Sequence, residues 1–282
     1  MAHAIPELHY RVAGAVRGRW PGAHRSRRGH SGSEFRAHAP LIEVPDVRRL
    51  DLHASLRDPF GQWLVRVNSE RMAIPVAVVA DLSASMAFEG AQSKLDVLAD
   101  FVESLSWSAW RNGDSFGFVG CDVGIRPELL LPQTRARGGG AALAVSLRTL
   151  APVGRSAQGL LAAHRHLTRQ RSLLFLVSDF HLPLQFVERV LDSLADHEVV
   201  PVVLWQPQEF GLGAGTGIAD VIDPESGLRR AVWWRPSLRA RWEAAQRDRR
   251  AALLSEFRGR RLAPLVIEGA FDADAVTRHF LS

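Results

Sequence analysis

The sequence predicts an α/β fold: a doubly wound, mostly parallel sheet, with an irregular, partly β extension in front and a late β-hairpin insertion. Three observations predict it. Two apolar runs, at 74–80 and 172–177, are rich in branched aliphatic residues and stop at Asp81 and at Ser178-Asp179, as strands buried on both faces do. From residue 74 onward, strand-like runs alternate with helical stripes, the pattern of parallel crossover units. Finally, Asp81-Leu82-Ser83-Ala84-Ser85 sends a carboxylate and two hydroxyls out of the carboxyl end of the first run, where open α/β sheets hold their ligands.

Composition allows one large domain or two small ones in 282 residues, with 46% apolar and 23% charged residues, enough for a sizeable core. No apolar run approaches the ~20 residues that span a bilayer, and residues 1–10 lack a signal-peptide apolar region, so the expectation is a cytoplasmic protein with no transmembrane segment. The single cysteine, Cys121, excludes an intramolecular disulfide framework and a thiolate metal site, and reads as a small core residue. Net charge is +5, and of 35 basic residues only Lys94 is a lysine. A basic surface favours acidic partners of any class.

The first forty residues carry Arg25-Ser26-Arg27-Arg28-Gly29-His30-Ser31-Gly32-Ser33 without hydrophobic period, which reads as an arm wrapped over the domain. Without interleaved aromatics a nucleic-acid role for it is disfavoured. Residues 63–67 alternate as an edge strand with an antiparallel partner and one wet face. Arg48, Arg49, Asp51, Arg57 and Asp58 are expected to form local ion pairs. The expected division is a basic extension over 1–70, its edge strand packed on the main domain, and an α/β domain over 71–282.

Within the latter, apolar residues at Leu95, Leu98, Phe101, Val102, Leu105 and Ala109 predict a helix over 93–110, stopped by Asn112-Gly113-Asp114. Strands follow at 115–122 and, briefly, 128–131. The triple glycine 138–140 opens a helix at 141–150; it lacks a P-loop lysine and dinucleotide spacing, so a flexible loop is the expectation there. A helix at 157–168, a strand at 172–179, a helix at 184–195 and a strand at 199–205 continue the alternation. A hairpin at 218–234 turns at Pro224-Glu225-Ser226-Gly227. An arginine-rich helix at 237–257, a strand at 263–267 and a closing helix capped by Asp272 complete the chain.

Asp81, Ser83 and Ser85 are hard oxygen donors, suited to Mg²⁺ or Mn²⁺; the plainer alternative is a strand running into a helix N-cap. The motif resembles the first loop of the metal-ion-dependent adhesion site of von Willebrand factor A domains, which are Rossmann-like. That family's third loop matches Asp179, and its Gly-x-Thr loop matches Gly154-Arg155-Ser156, with serine in place of threonine. Serine keeps the donor but is less constrained in rotamer.

Upstream and downstream, Arg28-Gly29, Ser33-Glu34-Phe35, Asp46 to Asp51, Arg57, Ser85-Met86-Ala87-Phe88, Lys94, Asn112-Gly113-Asp114 and Asp223 to Gly227 resemble the bacterial family called domain of unknown function fifty-eight. Leu50 and Leu52 replace its usual Ile and Trp.

The resemblance implies a cation held directly by Ser83, Ser85 and Ser156, with Asp81 and Asp179 acting directly or through water. An acidic client protein ligand would fill the remaining position. It also implies a separate MoxR-type AAA+ ATPase as partner in maturing or assembling other proteins, one branch serving methanol dehydrogenase. Arg155, His181, Arg28 and Arg49 are candidate partner-binding residues. Two alternatives are weighed against this reading. A Mg²⁺-dependent hydrolase would use Asp81 and Asp179 with His181 as the nearest base, but no nucleophile elbow is present. Nucleic-acid binding through 25–36 and 239–250 would weaken steeply with salt.

Overall fold

The computed structural model describes residues 5–12, 21–25, 34–69, 71–88, 90–210, 217–222 and 229–281. Arg28, Gly29 and Ser33, and the turn Asp223 to Gly227, lie outside the described residues. The chain divides into two units, one of Arg11–Ile74 with Asn112–Asp114, the other of Met1–Tyr10, Pro75–Arg111 and Ser115–Ser282.

In the first unit, β1 (Pro21–Arg25), β2 (Glu34–Pro40), helix α1 (Leu52–Leu56), β3 (Leu64–Ser69) and β4 (Arg71–Met72) form two antiparallel pairs, β1 with β4 and β2 with β3. The strand expected at 63–67 therefore has its antiparallel partner in β2 and is not an edge of the large sheet. Of the residues expected to form local ion pairs, Asp51 and Asp58 instead contact the strand residues and the backbone. Asp51 caps α1 through Ala54 N (3.0 Å) and pairs with Arg66 (2.8 Å) and His38 (3.1 Å), contacts that hold its carboxyl far below the usual range. Asp58 accepts from Phe60 and Gln62 N–H groups, while Arg49 does pair locally, with Asp46 at 3.2 Å.

Asn112-Gly113-Asp114, read from sequence as a helix stop, also has a structural task. Gly113 takes φ 75°, open to glycine at no steric cost, and Asp114, 1% exposed, accepts from Ile74 N (2.8 Å) and His24 Nε2 (2.8 Å).

The second unit contains a sheet with six strands among the described residues: β5 (Pro75–Asp81), β6 (Ser115–Cys121), β7 (Ile125–Thr134), β8 (Leu173–Ser178), β9 (Glu198–Trp205) and β12 (Leu265–Glu268), in the order β12-β9-β8-β5-β6-β7. β5 is buried at all seven positions because parallel strands flank it and layers cover both faces. Only β7 runs antiparallel; it is ten residues long, where the sequence suggested four, because its outer face is wet and its inner residues are few.

Helices α2 (Lys94–Arg111), α3 (Gly139–Arg148), α4 (Leu184–Ser193), α5 (Pro207–Phe210), α6 (Pro236–Gly259) and α7 (Ala273–Leu281) surround the sheet elements. α2 buries the predicted stripe, and Asp272 precedes α7, its Oδ1 accepting from Asp274 N (2.9 Å) as a cap does. The helix expected at 157–168 is instead a run of 3₁₀ turns, Gln158–His166. Ala157, Leu160 and Ala163 are buried at a spacing of three, which eclipses on a 3₁₀ turn, and a Cβ on Gly159 would come within 2.2 Å of Gly124 O. β10 (Gly217–Ile222) and β11 (Arg229–Trp234) form the predicted hairpin as a separate antiparallel pair.

β5 passes through α2 to β6 on one side, and β8 passes through α4 to β9 on the other. The winding therefore reverses between the adjacent strands β5 and β8, and their carboxyl ends bound a crevice of the kind that holds ligands in such sheets.

Candidate functional site

Asp81 ends β5 and is fully buried. Its Oδ1 accepts from Ser83 N (2.9 Å) and its Oδ2 from Ser178 Oγ (2.8 Å), so the tips of β5 and β8 are tied through one carboxylate. Ser178 in turn accepts from Phe180 N (2.9 Å). Burial, and next the negative charge of Asp179, push the Asp81 carboxyl up to about 6. Ser83 and Ser85 turn their hydroxyls together, Oγ to Oγ 3.3 Å.

Ser156 is less integrated. Its loop is drawn to the first one by Ala84 N donating to Gly154 O (2.8 Å) and a bridge between Ser83 and Gly154, but its hydroxyl accepts from Gln158 N (3.2 Å) at the start of the following turns. Asp81 and Ser83 are fully buried, Ser85 keeps slight exposure, Ser156 is half-buried and Arg155 is exposed.

Gly154 is required where it stands: an added Cβ would lie 2.6 Å from Asp122 Cβ and 2.8 Å from Asp122 Oδ2. Asp122 cannot easily yield, since Arg126 holds its carboxylate at 2.8 Å. Gly154→Ala is therefore expected to cost ~1–3 kcal/mol of stability through overpacking and to push the Ser156 loop off Ser83. A urea unfolding midpoint indistinguishable from wild type would refute the close packing.

Asp179 follows β8. Its Oδ2 accepts from Lys94 Nζ (2.7 Å), its Oδ1 from His181 N (3.1 Å) and its backbone carbonyl from Trp205 Nε1 (3.0 Å). Burial alone would raise this carboxyl; the charge of Lys94, then His181 and the hydrogen bonds, outweigh it and hold it below the usual range. The next residue, Phe180, sits at φ 54°, a left-handed conformation that a non-glycine residue adopts only when its surroundings over-determine it. Arg249 of α6 supplies that constraint by donating to the carbonyls of Phe180 and Leu182, and Phe257 packs edge-on against the Phe180 ring at 5.2 Å.

Sequence reasoning missed the chemical role of Lys94 and missed Glu209 altogether. Lys94, at the first position of α2, is 0% exposed and pairs with both Asp179 and Glu209 of the short α5. Burial raises the Glu209 carboxyl, but the His181 hydrogen bond and the Lys94 charge outweigh it and lower it. The ligand atoms of Asp179, His181 and Glu209 lie within 4.8 Å of one another, a grouping able to hold a metal ion. The signal available in the sequence was the solitary lysine among 35 basic residues.

A divalent ion fits the Asp81 side of the crevice. Hydroxyls 3.3 Å apart suit neighbouring ligands on one ion, since oxygens ~2.1 Å from a Mg²⁺ at right angles are about 3 Å apart, and the Asp81 carboxylate beside them is a hard oxygen donor. Cys121, beside Asp81 on β6, takes no part as a nucleophile, because burial, and then Asp81 and Asp122, push its thiol up. Among the remaining candidates, Arg49 lies in the other unit, paired with Asp46.

The family model described as "Protein of unknown function DUF58" matches residues 45–252. The chain belongs to this family. Among relatives of this DUF58 chain, "Uncharacterized protein in moxR 3'region" of Paracoccus denitrificans is 35% identical over 104 residues, 36% of this chain and 96% of its own length. "Uncharacterized protein Rv1480" of Mycobacterium tuberculosis is 25% identical over 224 residues, 76% of this chain and 68% of its own length.

Among solved structures, the conserved hypothetical protein BatB from Bacteroides thetaiotaomicron superposes with a TM-score of 0.42 at 13% identity, covering 74% of this DUF58 chain and 100% of BatB. Proximal thread matrix protein 1 from the mussel byssus, solved with a zinc-occupied MIDAS motif, gives a TM-score of 0.35 at 18% identity, covering 48% of this chain and 39% of that one. No described helix is long and apolar enough to cross a membrane.

Proposed function

We propose that this chain is a non-enzymatic protein-binding module with a metal-ion-dependent adhesion-type site. In this reading it acts in the cytoplasm with a separate MoxR-type AAA+ ATPase in the assembly or maturation of other proteins. The observation that carries the reading is the pair of Ser83 and Ser85 hydroxyls 3.3 Å apart, next to the Asp81 carboxylate that Ser83 N bonds at the end of β5, with the Ser156 loop bonded alongside. Mg²⁺ or Mn²⁺ there would present a directed positive charge to an acidic side chain of a client. Asp81, Ser83 and Ser85 would hold the ion, while Asp179, engaged by Lys94, would act from outside its ligand shell. The place of the Paracoccus relative 3' of moxR supports an ATPase of that type as partner. Binding is favoured over hydrolysis because the Asp179 carboxylate is spent on Lys94 and His181 N, leaving it a weak base.

The test is co-purification from the native cell extract. Wild-type protein in Mg²⁺ is expected to recover an AAA+ ATPase or its client, and chelation or Asp81→Ala to cut that recovery at least tenfold. Equal recovery by wild type and variant in both conditions would overturn the reading, as would Asp81-dependent turnover of phosphate or peptide esters. Binding that persists without Mg²⁺ and falls with salt would indicate nucleic acid instead.

A further inference from the structure

The Asp179–His181–Glu209 cluster has the ligand types of a transition-metal site: one imidazole and two carboxylates, from the end of β8 and from α5. Its centre, however, is taken. Lys94 Nζ donates to Asp179 Oδ2 (2.7 Å) and Ser85 O (3.2 Å) and pairs closely with Glu209 Oε1, so its three N–H bonds find three oxygens. The Phe88 ring, 5.8 Å from Nζ, closes another side, and Lys94 has no solvent exposure. Two carboxylates and a carbonyl converging on one positive centre is how a protein holds a small cation.

The contacts of this lysine suit an ammonium. Every other basic residue of the 35 is arginine. A guanidinium is a planar fork that spreads its donors outward, whereas an ammonium is a compact point charge that acceptors can surround. The enclosed point between Ser85, Asp179 and Glu209 admits only the second.

We propose that Lys94 is a tethered cation filling the Asp179–His181–Glu209 cluster in place of a metal ion, so that this half of the crevice is set permanently and does not answer to added ions. Being covalently attached, the ammonium cannot be lost to chelators, and it holds Ser85 O and Asp179 in place before any ion arrives. Lys94 is thus a positioning residue for the adjacent hydroxyl pair. The proposal stands whether or not a divalent ion binds at Asp81, because it concerns a different set of ligands.

Two measurements test it. The single lysine gives a single ¹⁵Nζ resonance after lysine-selective labelling. In wild type an ammonium signal in slow exchange with water is expected, unchanged by excess Mg²⁺ or Zn²⁺; a signal absent at low temperature, or displaced by Zn²⁺, would overturn the proposal without any variant having to fold. Calorimetric titration with Zn²⁺ then compares wild type with Lys94→Gln. The variant is expected to bind one more ion per chain than wild type, and Lys94→Gln/His181→Ala to lose that extra ion. Equal stoichiometry in wild type and Lys94→Gln would sink the idea. Because the count is a difference, failure of the Asp81 site leaves it readable.

Discussion

Lys94→Ala is expected to destabilise the metal-free protein by ~3–5 kcal/mol, the cost of removing one partner from a buried charge cluster. The reason is what stays behind. The buried Asp179 and the largely buried Glu209 would face each other without the ammonium between them. Lys94→Arg is expected to fare little better, since a guanidinium cannot place three donors around that point. Neutralising the orphaned acids in the same chain, as Lys94→Ala/Asp179→Asn/Glu209→Gln, should recover much of the loss. Urea unfolding in chelator reads all three variants; a loss below about 1 kcal/mol for Lys94→Ala would show that the ammonium is not what neutralises the pair.

Asp81→Asn is expected to act in the opposite sense. The Asp81 carboxyl is raised from 3.8 to about 6, so its charge opposes the metal-free fold at neutral pH. Below about pH 4 the group is protonated in both the folded and unfolded chain and contributes nothing. Between about 4 and about 6 the unfolded chain has released a proton that the folded chain still holds, so stability falls as pH rises. Above about 6 the penalty is constant, on the order of 2–3 kcal/mol.

Asparagine escapes this cost: its carbonyl can accept from Ser83 N and its amide can donate to the second lone pair of Ser178 Oγ. The stability difference between Asp81→Asn and wild type in chelator should therefore grow across pH 4–6 and then level. Taking the difference cancels Glu209, whose lowered carboxyl brings stability that is lost as pH falls; Asp179, whose charge acts on Asp81, responds to the substitution and adds to the difference at the acid end. Added Mg²⁺ should raise wild-type stability through preferential binding to the folded state and leave Asp81→Asn unmoved. A flat difference profile would mean that Asp81 is not held against its charge.

Much of this was legible in the residue string because it depends on neighbours in sequence. β5 and β8 are continuous branched runs, and an acid at the end of each marks the crevice. The α2 stripe at Leu95, Leu98, Phe101, Val102 and Leu105 repeats at helical spacing, and Asp81-x-Ser83-x-Ser85 is local by construction. Other features had no local signal. α5 is four residues long, too short to show a period, so Glu209 passed unseen. The 3₁₀ path of Gln158–His166 sets Gly159 against the backbone of Gly124, a contact between segments distant in the sequence. Leu64–Ser69 alternates like any edge strand, and nothing in its own residues names β2 as its partner.

By itself, then, the sequence determined the doubly wound α/β class and the point where the oxygen donors leave β5, since both are set by periodicity and by residue type at adjacent positions. Only the tertiary structure decided which of those donors are free for an ion. Asp179 is claimed by a lysine 85 residues away, and the Ser156 hydroxyl is turned to its own helical turns. The physical reason is that charge pairing in a buried site depends on distance in space, which the chain sets only once β5 and β8 lie side by side.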